Sequence, residues 1–324
     1  GGSGAGAGNR GIKVSASGAI SSGTGNLTLS GRAGESDGMY NHGIHATGAN
    51  SRILTVDGNL TAVGYGGGSG VDSDGNHGIV MTDESQIAST GLGNISFESH
   101  GGTSLGSYNV GLVIRTDASV TSNEGSIDIT SFAGTGIHAI GVEIADIDGG
   151  IIASAKNDIN ILTDAFGINP AGSITSGNTS SISIAPLTQH SRVLLGDDTS
   201  LHGAWLQLSD SELDQFNTPS LTIGNSTSGE IIVATNVVRE QATNVSLVSA
   251  ESIVTDGGSL NTGGGTLSLS SGNYGSLEPL SSGMDFTAST TTFNSESQYQ
   301  ATINGTTVDT LYSQANITGG VNLY

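Results

Sequence analysis

The sequence lacks cysteine and is poor in charged, aromatic and proline residues. Its 324 residues include no cysteine, 4 prolines, 4% aromatic residues and 11% charged residues. The absence of cysteine excludes disulfide bonds. It fits a large bacterial protein that crosses membranes unfolded during export, and cytosolic proteins tolerate it as well. So few charged residues exclude a charged disordered chain, and the overall composition does not favour a helical protein.

Basic residues are the scarcest charged class. Eight lysines and arginines face 29 aspartates and glutamates, which gives a formal net charge of −21. Such a chain repels phosphate backbones and anionic lipid, so we expect no nucleic-acid partner. Apolar runs are also short, and none approaches the ~18 residues of a membrane span. We therefore expect no membrane insertion within this segment.

Glycine and small polar residues fill the space between aliphatic ones. The chain has 52 glycines, and serine, threonine and asparagine separate its isoleucines, valines and leucines. This composition favours short strands joined by polar turns.

A glycine followed by an aliphatic residue recurs through the first half of the chain at intervals of 26–35 residues. The pairs are Gly11-Ile12, Gly43-Ile44, Gly78-Ile79, Gly111-Leu112, Gly141-Val142 and Gly167-Ile168. A near-match at Gly136-Ile137 leaves the alignment of the fifth repeat open. Recurrence at this period is the signature of a solenoid.

Two further aliphatic positions recur with the same period, so each repeat predicts three strands. One set is Leu27, Leu60, Ile95, Ile127, Ile159 and Ile182. The other, which lies between the first two markers, is Ile20, Ile53, Ile87, Val120, Ile151 and Ile174. Alternation within these runs places apolar side chains inward and polar ones outward.

Length varies mainly in one connection of each repeat. We expect the insertions at 31–41 and 64–76 to project as loops from one edge, while corner glycines supply the positive φ of sharp turns. Strands stacked at ~4.8 Å then form a three-sided parallel β-helix of about ten coils. Parallel crossovers are almost always right-handed, which predicts a right-handed coil.

The period is clearest before residue 187. We expect a regular β-helix with ~32-residue coils over 1–186 and a less regular continuation over 187–324. One short helix is predicted near 209–216, because Ser209 or Asp210 can cap it and Leu213 and Phe216 share a face. Because the sequence stops inside a strand-like run, we expect it to be truncated at both ends from a longer chain.

Three stretches resemble filamentous haemagglutinin-like and autotransporter-type giant bacterial surface adhesins. They are the GI-x-V, G-x-I and GNLTL pattern of the first half, the LQLSDSEL segment at 206–213 with LTIG at 221–224, and the strand-like runs at 301–306 and 317–323. The resemblance implies a long right-handed parallel β-helix at an extracellular bacterial surface. Within this sequence we find no motif of an export domain or a membrane barrel, so the resemblance implies no particular secretion route.

The segment Asp72-Ser73-Asp74-Gly75-Asn76 is the strongest candidate for a metal site. Oxygen-bearing side chains at Asp72, Asp74 and Asn76 alternate around a glycine, and such a loop can wrap calcium. The twelfth-position glutamate of an EF-hand is missing, since residue 83 is Asp83. A turn without metal is the competing interpretation, and diffuse calcium binding by so acidic a chain is a separate one. None of these interpretations requires a cofactor.

Two ladders are predicted along the coils. His42 and His77 lie one period apart and should stack on one edge, where they could share a metal or merely reflect repeat duplication. Three Asn-x-Ser/Thr triplets, at Asn26, Asn59 and Asn94, occupy one corner. Stacked asparagines explain this recurrence without glycosylation.

The adjacent carboxylates Asp197 and Asp198 resemble the acid pairs of β-helical polysaccharide hydrolases. Neighbouring residues on a strand point to opposite faces, so we favour a solvated turn and predict no enzyme activity.

We expect instead a structural and adhesive solenoid that forms a stalk or fibre and contacts glycans or proteins of host or neighbouring cells. Alternatives are a self-assembling filament or sheath subunit, stacked end to end, and a carbohydrate-active β-helix enzyme.

Overall fold

In the computed structural model, the chain is a nearly all-β protein built from parallel strands. The structure describes residues 6–145, 148–196, 205–272, 277–279, 284–293 and 315–323. The chain divides into two compact units, residues 1–180 and 181–324. Strands pair in parallel within each unit, which confirms the parallel β-helix predicted from the repeat.

The strands of the first unit are short and recur three to a coil. In chain order they are β1 (Ile12–Val14), β2 (Ala19–Ser21), β3 (Leu27–Arg32), β4 (Ile44–Thr47), β5 (Arg52–Thr55), β6 (Leu60–Tyr65), β7 (Ile79–Thr82), β8 (Gln86–Ser89), β9 (Ile95–His100), β10 (Leu112–Arg115), β11 (Ala118–Ser122), β12 (Ile127–Phe132), β13 (Val142–Ala145), β14 (Gly150–Ser154), β15 (Ile159–Thr163), β16 (Phe166–Ile168) and β17 (Ser173–Thr175).

Every third strand joins the same sheet, so the first unit has three faces. The first sheet runs β1-β4-β7-β10-β13-β16, the second β2-β5-β8-β11-β14-β17, and the third β3-β6-β9-β12-β15. Aliphatic side chains point inward from all three and stack from coil to coil. Ile53, Ile87 and Ile95 are 0% exposed. This packed interior buries the apolar surface that no single coil could bury alone.

The predicted markers align with the observed strand register at most positions. Leu27, Leu60, Ile95, Ile127 and Ile159 are paired in succession in the third sheet. In the first sheet Gly141-Val142 holds the fifth position, because Val142 pairs with Leu112. The competing residue Ile137 is 66% exposed.

Two marker positions are corrected by the structure. Val120 pairs with Ile152, whereas Ile151 pairs with Ser119 and is 40% exposed. A one-residue shift along a strand turns the side chain to the opposite face, so Ile152 is the core residue. In the sixth coil Val142 pairs with Phe166, two residues before the predicted Ile168, which keeps the side chain on the inward face.

Corner glycines are required by close approach rather than by positive φ at the turn into the third sheet. A Cβ at Gly58 would lie 2.0 Å from the carbonyl oxygen of Gly25, and one at Gly93 would lie 2.1 Å from that of Gly58. At the turn between the first two sheets, positive φ falls on Asp83 and Glu84 in one coil and on Gly149 in another. The prediction that corner glycines supply positive φ therefore holds at Gly149 but not at Asp83 and Glu84 or at the turn into the third sheet.

The insertions before the first sheet are not simple projecting loops. Val110 and Ile140, which precede β10 and β13, pack against the outward side chains of Val80 and Val113. Val80 and Val113 are 1% and 0% exposed although they point away from the interior of the coil. The insertions thus form a second packed layer over the first sheet.

The second unit contains the remaining strands and one short helix among its described residues. In chain order the elements are β18 (Ser181–Ala185), β19 (Val193–Gly196), β20 (Leu206–Ser209), α1 (Asp210–Leu213), β21 (Phe216–Asn217), β22 (Ser220–Gly224), β23 (Ile231–Val233), β24 (Val237–Val238), β25 (Asn244–Val248), β26 (Ile253–Thr255), β27 (Ser259–Asn261), β28 (Thr266–Ser270), β29 (Leu277–Pro279), β30 (Met284–Phe293) and β31 (Ala315–Leu323).

Parallel stacking continues in this unit with a different strand order. One sheet runs β20-β19-β23-β26-β29, and β18, β22, β25, β28 and β30 pair in succession. β30 also pairs with β27 and β31. Leu221, Val245 and Leu267 form a buried inward column across β22, β25 and β28.

The predicted helix is present and is one turn long. Ser209 is the N-cap, and its hydroxyl accepts from Glu212 N while the Glu212 carboxylate accepts from Ser209 N, which is a capping box. The buried Arg239 guanidinium donates to the carbonyls of Leu213 and Phe216 at the other end. No helix among the described residues is long and apolar enough to span a membrane.

Candidate binding surfaces of the first unit

The three predicted calcium ligands lie in the insertion before β7, in different surroundings. Asp72 is exposed, Asp74 is half-buried and Asn76 is 0% exposed. Asp74 Oδ1 accepts from Ser107 N at 2.5 Å, in the next coil. Asn76 turns its carboxamide into a buried column. Calcium would have to compete with these hydrogen bonds, and binding of calcium here stays a prediction.

That column is an asparagine ladder that runs through the insertions. Asn76 Oδ1 accepts from Asn41 N at 3.0 Å and from Asn41 Nδ2 at 2.9 Å, and Asn9 bonds to Asn41 in the same way. Asn76 Nδ2 in turn donates to Asn109 Oδ1 at 3.2 Å and to Ser73 O at 2.6 Å. Because both halves of the amide are bonded, the buried polar groups cost little.

The ladder residues carry a sequence signal that the repeat analysis missed. Each asparagine stands two residues before a marker glycine, in the pattern Asn-x-Gly-aliphatic. The pattern occurs at Asn9, Asn41, Asn76 and Asn109. Recurrence of a polar residue at a fixed offset from the core marker could have identified it as a buried stack.

In two successive coils the residue between the ladder asparagine and the marker glycine is a histidine, so His42 and His77 become neighbours. The rings of His42 and His77 stack with centroids 5.1 Å apart and planes inclined by 10°, as the repeat predicted. His45 lies edge-on to His42 at 5.1 Å, and Arg10 Nε donates to His45 Nδ1 at 2.8 Å. His42 Nδ1 accepts from His77 N, which places the ring proton on Nε2.

Burial keeps these histidines neutral. It lowers the pKa of His77 to about 3, and repulsion from Arg115 adds to this effect. It lowers the pKa of His45 to about 4, and repulsion from Arg10 and Lys13 adds to it. Burial also lowers the pKa of His42 well below its usual value, followed by repulsion from His77. Among the described residues, no three histidine, cysteine, aspartate or glutamate side chains are placed to share a metal ion.

The other predicted ladder lies at the exposed corner before the third sheet. Asn59 N donates to Asn26 Oδ1 at 3.0 Å, and Asn94 N donates to Asn59 Oδ1 at the same distance. Ser126 N continues the ladder to Asn94 Oδ1 at 2.9 Å. The side-chain oxygens therefore bond along the coil, as expected from the recurring triplets.

Aromatic rings form an outward column at the end of the third sheet. Tyr65 and His100 stack at 4.6 Å, His100 and Phe132 at 4.2 Å, and the Arg32 guanidinium lies 4.9 Å from the Tyr65 ring centroid. Glu98 Oε1 lies 2.9 Å from His100 Nε2 and accepts from the Tyr65 hydroxyl at 3.3 Å. The hydrogen bond with His100 lowers the pKa of Glu98, and the hydrogen bond with Tyr65 lowers it to a smaller extent.

Two tyrosines project from the insertion edge in strained backbone. Tyr40 and Tyr108 have φ of 61° and 58° and are each 52% exposed. Gly75 occupies the equivalent position between them. Left-handed backbone at bulky residues is uncommon and carries a cost, and such strain is concentrated at functional positions. The edge therefore presents aromatic side chains that the core does not need.

The acid pair at Asp197 and Asp198 lies outside the described residues, as does the strand-like run at 301–306. The strand-like run at 317–323 falls on the described strand β31. The chain matches no protein-family model, no curated protein sequence and no solved structure. The likeness to surface adhesins therefore rests on the repeat and the motif residues alone.

Proposed function

We propose that this chain is a structural and adhesive segment of a secreted or cell-surface bacterial protein, and that it forms a stalk or fibre that mediates attachment. The observation that carries the proposal is the register of the first unit, where side chains of one type recur at one position in successive coils. A stack of this kind repeats the same surface along its length. The resemblance to surface adhesins supports the same role.

The outward side chains suit contact with another molecule. Tyr40 and Tyr108 are half exposed in the insertions, and Val71, Leu105 and Ile137 of the same insertions are 66–70% exposed. Exposed apolar groups clustered on one edge are typical of interaction surfaces, and tyrosine is enriched among residues that dominate binding energy. The proposed partners are glycans or proteins on the surface of host or neighbouring cells.

Attachment can be tested directly with the purified chain. Beads coated with the folded chain should adhere to epithelial or bacterial cells, and beads coated with heat-denatured chain or albumin should not. Glycans recovered from the bound beads should be unaltered, because the proposed role is not enzymatic. Equal adherence of folded and denatured coatings would reject the proposal.

Electron microscopy distinguishes this role from self-assembly. Separate particles with and without calcium are expected for a segment that works within a longer polypeptide. Regular filaments that grow by end-to-end addition would instead favour the filament-subunit alternative. A requirement for calcium in either state would support cation binding by the acidic surface or by the loop at 72–76.

A further inference from the structure

A groove of about 660 Å³ crosses four coils of the first unit, at the corner where the chain leaves the second sheet. It lies at the ends of β8, β11, β14 and β17. Its lining consists only of serine, threonine, asparagine, alanine and glycine residues, from Ser89 in the first of these coils to Asn178 in the fourth. None of these side chains is ionisable or aromatic, and most carry a hydroxyl or an amide.

The floor of the groove is fixed by hydroxyl groups that bond to the backbone. Ser89, Ser122 and Ser154 are 2–3% exposed and are aligned in successive coils. The Ser89 hydroxyl donates to Val56 O at 3.1 Å, and the Ser154 hydroxyl donates to Gly125 O at 3.0 Å. Hydrogen bonds of this kind hold the corner in one shape before any ligand arrives, which reduces the entropy lost on binding.

The walls offer hydrogen-bonding groups to the outside. Thr121 is half-buried, and Asn123 and Asn178 are exposed. Within the described part of the chain no hydrogen bond occupies the side chains of these three residues. Hydroxyl and amide groups both donate and accept, so they match a ligand whose groups do the same. Ala153, in register with Thr121 and Thr175, adds apolar contact between them.

The absence of charged side chains from the groove lining further restricts the class of ligand. The lining contains no carboxylate to attract a cation and no lysine or arginine to attract an anion, and the chain as a whole carries −21. At the rim, Lys156 Nζ is bound to Glu124 Oε1 at 2.6 Å, so that cation is already paired. A charged ligand would lose hydration without an opposite charge to replace it, and an apolar ligand would leave the wall amides unsatisfied.

We propose that this groove binds a neutral, linear oligosaccharide whose chain runs along the stack of coils. Sugar rings carry hydroxyl groups on their edges and C–H groups on their faces, which fits walls that mix hydroxyls, amides and methyl groups. The four coils span ~14 Å at ~4.8 Å per step, so binding requires several linked sugars. The inference rests on the proposed adhesive function and names the class of partner.

The test is an array of neutral oligosaccharides of increasing length, probed with the labelled full chain. Binding is expected to strengthen with length until the groove is filled, and sulfated or carboxylated glycans are expected not to bind. Ala153→Trp should block the groove and abolish binding. Thr121→Val and Asn123→Ala should each weaken affinity about fivefold, because each removes one hydrogen bond.

Ser96→Trp is the matched control, since Ser96 points outward from β9 and does not line the groove. It should bind glycan as the unmodified chain does, and all variants should keep the unmodified melting temperature. Equal binding by Ala153→Trp, absence of binding to every neutral glycan, or preference for sulfated glycans would each overturn the proposal.

Bead attachment separates this proposal from the adhesive one. If Ala153→Trp beads lose glycan binding and cell attachment together, both proposals are supported. If the beads still attach to cells while glycan binding by the groove is refuted, adhesion stands and the groove proposal falls. If glycan binds in the groove but no beads attach, the groove stands and the adhesive function falls.

Discussion

Asparagine has two unlike roles in this protein, although the residue type and the coil-to-coil spacing are the same. Asn76 is 0% exposed and both halves of its amide are bonded inside the insertion layer. Asn26 is exposed, and its side-chain oxygen accepts one backbone N–H from the next coil. Water can replace the bond to the exposed Asn26 but not the bonds of the buried Asn76. The two ladders therefore contribute differently to the free energy of unfolding.

Replacement of Asn76 by alanine should therefore destabilise the fold far more than replacement of Asn26. The first change leaves the buried Asn41 backbone N–H and one of the two Asn41 Nδ2 hydrogens unpaired, while Nδ2 keeps its bond to Gly38 O. We expect the free energy of unfolding to fall by about 2–4 kcal/mol. Asn26→Ala should cost less than about 1 kcal/mol. Urea denaturation of the two variants measures the difference, and equal midpoints would contradict a buried ladder.

The buried histidines make stability depend on pH. The pKa of His77 is about 3 in the folded chain and 6.5 in an ordinary environment. As pH falls below about 6.5 the unfolded chain binds a proton that the folded chain does not, so stability falls with pH down to about 3. Between pH 6.5 and 5 the loss attributable to His77 is roughly 1.5 kcal/mol.

His77→Val should remove that part of the pH dependence. Valine occupies the equivalent position in the next coil at Val110, so the packing can accept it. Urea midpoints at pH 6.5 and pH 5 should differ less in this variant than in the unmodified chain. His190→Asn, at a side chain that is 68% exposed, is the control. An unchanged slope in His77→Val would show that the histidine does not carry the effect.

At the scale of the strand, register decides which of two adjacent residues supports the core. The sequence run Gly150-Ile151-Ile152-Ala153 offers two isoleucines, and the period alone selected the wrong one. In β14 Ile152 is 0% exposed and Ile151 is 40% exposed. The turn before β14, with Gly149 in the left-handed region, sets where the strand begins, and hence which side chains face inward.

Alanine substitutions at these two residues test the register. Ile152→Ala opens a cavity between Val120 and Ile174 and should cost about 2–5 kcal/mol. Ile151→Ala removes a half-exposed side chain and should cost well under 1 kcal/mol. Thermal unfolding of both variants gives the comparison. The reverse order of stability would show that β14 is shifted by one residue.

Over the molecule as a whole, each coil of the first unit is paired with the coils before and after it. Stability in such a stack is approximately a sum of coil and neighbour terms, so a complete coil can be removed if the register of the remaining ones is kept. Gly78 and Gly111 stand at equivalent positions, since Ile79 pairs with Leu112. β6 can therefore stack directly on β12.

Deletion of residues 79–111 should leave a folded protein. The joined Gly78 and Leu112 restore the marker pair, and circular dichroism should keep its β-rich form with a cooperative thermal transition. Deletion of β8 alone, Gln86–Ser89, is the control, because it leaves a coil with two strands and should abolish cooperative unfolding. Loss of folding in both deletions would contradict independent coils.

The coil, its period and its three strands follow from the order of residues alone, because aliphatic residues such as Ile53 and Ile87 recur where the interior must be filled. The sequence also predicted that His42 and His77 would stack, since equal offsets in a solenoid become neighbours in space. The short helix followed from the capping residues around Ser209. These features depend on spacing along the chain, which the sequence records.

Which polar residues are buried, and which surfaces are concave, depends on how the coils and insertions pack together. The insertions fold back over the first sheet, so Asn76 belongs to a hydrogen-bonded layer although its segment is typical of a calcium loop. The neutral groove combines small residues from four coils, from Ser89 to Asn178, that are separated by up to three turns of chain. Its shape depends on the path of the corner between sheets, and no local pattern of residues encodes that path.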